Sequence, residues 1–354
     1  MVKVSIIMPV YNSQNYLRRA VDSIMEQAFE DFELIMINDG SSDKSGDICD
    51  AYKERYSNIR VVHKENGGIC SARNAGLKIA RGEYVGFCDN DDKFLPCLLK
   101  DNYVLAKCNN VDLMRYSKIK RVEREDGRIW ETQSLLQDMF INKDEFYKHY
   151  QNIRREDTVW TALYRREVIE KYNIRFDERI KYGTEDLNFN LRFLMHCQRI
   201  GFNSNPYYLW TQRDARSTSR HFHKEFLEQN LINMDLEYCF YSEICKEKVD
   251  STMMNIFLVN TYLYPSIEYM SIKSCSMSLN DKEQYLDCMR HHPLFVRNID
   301  HATLKSAREK SFRAYVFMKL FYARKYKLLI KLFAGAILVL SKFRYKKVED
   351  LAEK

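Results

Sequence analysis

Apolar runs and polar loops alternate regularly along the first hundred residues. Residues 2–8, 32–38, 59–63 and 84–88 are short apolar runs, each closed by polar residues. Runs of that length predict buried strands. Between them lie stretches with helical spacing. Tyr16, Leu17, Ala20, Val21, Ile24 and Met25 recur at i, i+1, i+4, i+5, one face of a helix that Asn12 or Ser13 would cap. Ser42 or Asp43 opens a second helix running to Tyr56, and residues 69–80 read as a third. Strands and helices in this alternation predict an α/β domain whose mostly parallel sheet is covered on both faces. The loops after its strands gather at one edge, bringing Tyr11, Asp39, Arg73, Asp89 and Asp91 together.

Further along, residues 160–166 precede a helix reaching Tyr172. Thr184 would cap a helix carrying Glu185 and Asp186 in its first turn. Residues 207–210 read as a strand. After Phe222 the pattern becomes helical, rich in Met, Tyr and Leu, with few Gly or Pro. Residues 328–340 are apolar except for Lys331, too short for the roughly 20 residues a membrane span needs.

With 354 residues the chain has room for about two domains. Its ten cysteines form no C-x-x-C pair, which argues against a zinc site or a disulfide framework and for reduced thiols in a cytoplasmic setting. The amino terminus reads as lacking a signal peptide. The net charge of +7 is uneven: residues 305–347 carry thirteen Lys or Arg and one acid, while the first 304 residues are net negative. An apolar segment flanked by basic residues fits a helix lying on an anionic membrane surface, with a buried core helix as the alternative. Interleaved aromatic and basic nucleic-acid motifs are absent.

The chemistry concentrates where the fourth run stops, at Asp89-Asn90-Asp91-Asp92. On an extended segment, residues two apart face one side, so Asp89 and Asp91 could share a cation such as Mg²⁺ or Mn²⁺, with substrate phosphates completing its shell. The alternative is an acidic turn capping a helix at residues 94–107. Neither G-x-G-x-x-G after the first strand nor G-x-x-x-x-G-K-S/T occurs, which excludes a dinucleotide fold and a P-loop.

Five strings occur in order within the first 92 residues: Pro9-Val10-Tyr11-Asn12, Asn38 to Asp43, Asn66-Gly67-Gly68, Ser71 to Gly76, and Asp89 to Asp92. Together they resemble the nucleotide-sugar domain of family 2 glycosyltransferases, which have the Rossmann-like GT-A fold. The resemblance implies inverting transfer of a sugar from a nucleoside diphosphate, UDP above all, to a hydroxyl of a glycan or lipid-linked acceptor, in bacterial surface polysaccharide synthesis. It implies donor contacts from Pro9, Tyr11, Asp39, Asn66, Arg73, Asp89 and Asp91. By it, Arg213 and Ser217 lie on a loop covering the diphosphate, and Asp91 holds Mg²⁺ or Mn²⁺ with Asp89. Asp186 is the implied base, with Glu185 turned away to orient the acceptor. His221 or His223 is a candidate further metal ligand or a plain surface histidine. Tyr11 as loop packing, Arg73 as a helix-surface ion pair, and helix capping by both acids remain the structural alternatives.

The organisation this implies is a catalytic domain at 1–220, with a nucleotide-sugar half at 1–108 and an acceptor half at 109–220. A helical region follows at 221–354, reaching the inner face of the cell membrane through residues 320–347. Residues 109–158 match the family less well. The rival readings are a non-catalytic membrane-bound scaffold and a sugar nucleotidyltransferase. The second lacks its Gly-rich basic loop here.

Overall fold

Four hydrophobic runs become the parallel core of one sheet. The computed structural model describes residues 1–333 other than 125, 156–157, 182, 214–222, 273 and 299–300. β1 (Val4–Val10), β2 (Phe32–Asp39), β3 (Ile59–Lys64) and β4 (Tyr84–Phe87) lie in the order β3-β2-β1-β4, every neighbour parallel. Every residue of β1, β2 and β4 is buried, as a sheet covered on both faces requires. The connecting helices are α1 (Leu17–Met25), α2 (Ser45–Arg55) and α3 (Ile69–Ile79). Ala72 of α3 packs on Ile35 and Ile37 of β2, with Val62, Ala75 and Ile79 at the margin.

The second half of the sheet mixes directions. Its elements are β5 (Lys93–Phe94), α4 (Leu98–Cys108), β6 (Leu113–Glu123), β7 (Ile129–Ser134), β8 (Met139–Asn142), α5 (Tyr150–Arg155), β9 (Ala162–Arg165), α6 (Arg166–Lys171), α7 (Glu185–His196) and β10 (Arg199–Arg213). The order continues β4-β9-β6-β10-β5, with β7 beside β6 and β8 beside β10. β6 and β10 are parallel, whereas β9 runs antiparallel to both β4 and β6. The parallel expectation came from strand–helix spacing. That spacing ends at β4, which the chain leaves through a turn.

Three local expectations change. Neither Asn12 nor Ser13 caps α1. The Ser13 carbonyl accepts from the backbone N–H of Tyr16 and Leu17, and the helix begins only at Leu17. The acidic run does not cap α4, because Lys93 and Phe94 pair with β10 and the cap position is Cys97. Thr184 does occupy the cap position of α7, in a left-handed conformation (φ +69°) and without a side-chain cap bond.

The chain divides into two compact units, Met1–Thr218 with Glu243–Cys245, and Ser219–Ser242 with Lys246–Lys354. The second is helical: α8 (Lys224–Cys239), α9 (Ser251–Leu258), α10 (Tyr264–Tyr269), α11 (Leu279–His291), α12 (Pro293–Arg297), α13 (His301–Lys310) and α14 (Phe312–Tyr322). Met254, Leu258, Tyr262, Leu286 and Met289 are buried in it. Residues 326–333 are helical too, with Leu329 and Phe333 buried and Leu328 and Leu332 about half exposed. The apolar tail segment therefore buries one face where it is described, and residues 334–347 lie outside the described residues. No helix among the described residues is long and apolar enough to cross a membrane.

Candidate active site

The acid run after β4 folds as a turn, with the Asp92 N–H donating to the Asp89 carbonyl at 3.2 Å. The expectation of an extended segment aiming both carboxylates at one point does not hold, because the two diverge to different arginines. Asp89 accepts from Arg73 at 3.1 Å. Asp91 accepts from Arg213 at 3.1 Å, and its side chain remains 41% exposed. Arg213 also pairs with Glu123 at 3.2 Å, its register partner on β6, while Arg19 donates to the Asp91 carbonyl. Asn90 ties the turn to the Pro9 carbonyl at 2.9 Å.

Asp92 is the buried anchor of this turn. It is 1% exposed and accepts from the Tyr208 hydroxyl and the Thr211 N–H. Burial, then the nearby Asp89 and Asp91, push its carboxyl well above the usual range. A folded state that raises an acid holds a proton the unfolded chain releases near pH 4 or so. Stability therefore falls as pH rises from there toward the folded value. Asp92→Asn is expected to unfold at a higher temperature than the parent at neutral pH, with the gap closing in acid. Equal unfolding temperatures across the pH range would mean that Tyr208 and Thr211 already offset the buried charge.

Arg73 of α3 joins the turn after β4 to the first turn of α7. It is 1% exposed, so the helix-surface ion pair is ruled out. Its Nη2 donates to Asp89, and its Nη1 to Asp186 at 2.6 Å and Glu185 at 3.3 Å. Its guanidinium lies 5.2 Å from the Phe176 ring centroid and 5.9 Å from that of Phe87. Burial alone would lower the Arg73 pKa, but the three carboxylates outweigh it and the balance is upward. The Asp89 and Glu185 carboxyls are raised, chiefly by burial. Asp186 also accepts the Val159 N–H at 3.1 Å. The expectation that Glu185 turns away from Asp186 is corrected here, since both acids reach one guanidinium nitrogen from the first turn of α7.

The loop after β2 is built around Asp39, which is nearly fully buried. Lys64 donates to it at 2.6 Å, and the Gly67 and Gly68 N–H groups at 3.0 and 2.8 Å. Asn66 bonds the Asp39 carbonyl. Gly40 (φ +72°) is required here, because a Cβ would stand 2.8 Å from the Asn66 nitrogen. Three bonds leave the carboxylate one further acceptor site. Tyr11 is 53% exposed at the same edge.

Ser217 and His221 lie outside the described residues. His223 stands in the second unit at the start of α8, its N–H donating to the Tyr269 hydroxyl. The residues that sequence reasoning missed are Arg19, Lys64, Asp92, Glu123 and Val159. Lys64 had a signal, because it closes β3 in register with Asp39. Among the described residues no three or more His, Cys, Asp or Glu cluster as a metal cage. The Asp91 carboxylate is partly exposed although burial raises it. It and Asp89 each keep an arginine, so a hard cation held by the two would exchange those contacts and take its remaining ligands from phosphate oxygens and water.

A sequence model described as glycosyl transferase family 2 matches residues 5–173. An uncharacterized glycosyltransferase of Bacillus subtilis (strain 168), EpsJ, is 32% identical over 255 residues, 70% of this chain and 73% of that protein. The minor teichoic acid biosynthesis protein GgaA of the same organism is 32% identical over 223 residues, 60% of this chain and 48% of that protein. The crystal structure of S. aureus TarS 1–349 in complex with UDP-GlcNAc aligns with a TM-score of 0.70, at 20% identity, over 95% of this chain and 91% of that one. That last likeness is one of fold.

Proposed function

The chain belongs to glycosyl transferase family 2, with the GT-A fold, and we propose that it moves a sugar from UDP to a hydroxyl of a glycan or lipid-linked acceptor with inversion at the anomeric carbon. It is similar to a glycosyltransferase and to a minor teichoic acid biosynthesis protein. The observation that carries the proposal is Arg73, a buried cation holding an acid of the donor half and the acid pair of α7 around one point. A fold neighbour that takes UDP-GlcNAc and UDP supports the donor.

In this reading Asp39 keeps one acceptor site for a base N–H, and Tyr11 flanks the base. Asn66 and Pro9 shape the loop edges, and Arg213 and Ser217 face the diphosphate. Asp186, held by Arg73 and the Val159 N–H, takes the proton of the acceptor hydroxyl, and Glu185 orients that acceptor. Asp91 with Asp89 would hold Mg²⁺ or Mn²⁺, which makes the diphosphate a competent leaving group. The half-exposed Leu328 and Leu332, with the basic flanks, support docking of residues 320–347 on an anionic inner membrane face.

Asp91→Asn is expected to abolish the gain in UDP affinity that Mn²⁺ provides, because the exposed carboxylate oxygen is lost. Titration calorimetry of UDP with and without Mn²⁺ is the measurement. An undiminished Mn²⁺ effect in the variant would refute this assignment.

A further inference from the structure

Arg213 closes β10 and is held on three sides. Its Nε faces Glu123 at 3.2 Å, the residue in register with it on β6. Its Nη1 donates to the Asp91 carboxylate at 3.1 Å and its Nη2 to the Asp91 carbonyl at 3.3 Å. The Tyr16 ring centroid lies 4.2 Å from the guanidinium. The two Nη groups thus rest on Asp91, and the Nε edge on an acid of its own.

A guanidinium and a divalent cation on one carboxylate are like charges at contact range, and they repel. They also compete for the same oxygens. The two arginines of the acid turn differ in how readily they yield. Arg73 is 1% exposed and shared among three carboxylates. Arg213 has a 17% exposed side chain, and it keeps Glu123 and the Tyr16 ring when its Nη groups leave Asp91. The turn keeps its shape as well, because Arg19 donates to the same Asp91 carbonyl at 3.1 Å and Asn90 to that of Pro9. A guanidinium anchored at Nε presents both Nη groups, a fork that matches two phosphate oxygens.

We propose that Arg213 competes with a divalent cation for Asp91, and that the donor's diphosphate ends the competition by taking the two Nη groups. The inference rests on the transfer reading above and gives Arg213 and Glu123 distinct parts in it. Arg213 exchanges one anion for another. Glu123 is the positioning residue that keeps it at the site. The cation by itself meets a carboxylate already paired with Arg213. Cation and nucleotide then bind as a linked pair, each raising the other's affinity by the same factor.

Mn²⁺ binding to the full chain is followed by the electron paramagnetic resonance of the free ion, with and without UDP, at low and high salt. Arg213→Gln is expected to bind Mn²⁺ alone about tenfold more tightly than the parent, a factor within the usual range of coupling between sites. It is expected to bind UDP alone more weakly, and to gain less Mn²⁺ affinity when UDP is added. The tighter Mn²⁺ binding is expected to persist in high salt, where a diffuse charge effect is screened. Glu123→Gln is the second variant. It leaves Arg213 on Asp91 without its anchor, so UDP is expected to bind more weakly and Mn²⁺ alone no more tightly than to the parent. Mn²⁺ affinity in Arg213→Gln at or below the parent's, an increase that vanishes in high salt, or an undiminished gain on adding UDP would overturn the proposal. Asp91→Asn on the same preparations reads the metal assignment separately. Loss of Mn²⁺ binding there, with no increase in Arg213→Gln, overturns the exchange and leaves that assignment standing. Mn²⁺ binding that survives Asp91→Asn overturns the assignment and this proposal with it.

Discussion

Arg73→Met is expected to be the most damaging single substitution in the first unit, lowering stability by about 3–5 kcal/mol and eliminating transfer. The methionine fills much of the volume, but it leaves Asp89, Glu185 and Asp186 facing one another without their shared cation. Breaking a buried ion cluster costs more than the cluster contributed, because uncompensated charge stays out of water. Against a total stability of roughly 5–15 kcal/mol, such a loss is large. The sign of its pH dependence follows from the same carboxylates. Without Arg73 the Asp89 and Glu185 values, already raised by burial, rise further, so the deficit is greatest where these two are ionised and shrinks as pH falls and they take up protons. Thermal unfolding of parent and variant at neutral and mildly acidic pH measures both effects. Adding Glu185→Gln should recover part of the loss. An unfolding temperature equal to the parent's at neutral pH would mean that the cluster is not held by Arg73.

The second large effect is on chemistry. Asp186→Asn is expected to slow transfer by about 10²–10⁴-fold while leaving UDP and Mn²⁺ affinity near the parent's. A sugar hydroxyl is a weak nucleophile at neutral pH, so its proton must leave as the bond to the anomeric carbon forms. The Asp186 carboxylate is oriented by Arg73 on one oxygen and the Val159 N–H on the other. Asparagine keeps its shape and cannot take the proton. Transfer rates on matched preparations, with NMR of the product's anomeric centre, decide the matter. If Glu185→Gln abolishes transfer and Asp186→Asn does not, the base is Glu185. A product that keeps the donor's anomeric configuration would rule out inversion.

Much of the first half of the fold was legible in the chain itself. Strands β1 to β4 are continuous apolar runs punctuated by turn residues, and α1 and α3 carry one-sided apolar stripes. Such signals are local, so period and punctuation suffice to read them. The family was legible for the same reason, since its five strings lie within 92 residues, four of them after the strands of the parallel core and the fifth, Ser71 to Gly76, inside α3. Local signals were less reliable at the ends of elements, as α1 and α4 both begin several residues later than the patterns implied.

The site was legible as a set of residues, but its connections were not. That Asp89 and Asp91 take different arginines depends on a turn that forms only because Asp92 is buried against Tyr208 and Thr211, more than a hundred residues away. That Arg73 is a hub and not a surface ion pair depends on α7 arriving beside α3, again across more than a hundred residues. Lys118 and Lys120 of β6 share a face with Trp130 of β7 and Trp210 of β10 because these strands pair in one register, and a slip of one residue would divide them between two faces. A sequence states which groups are present and how each short stretch folds. Which charges come to share one desolvated point is set by long-range pairing, and there the energy depends on distance and burial.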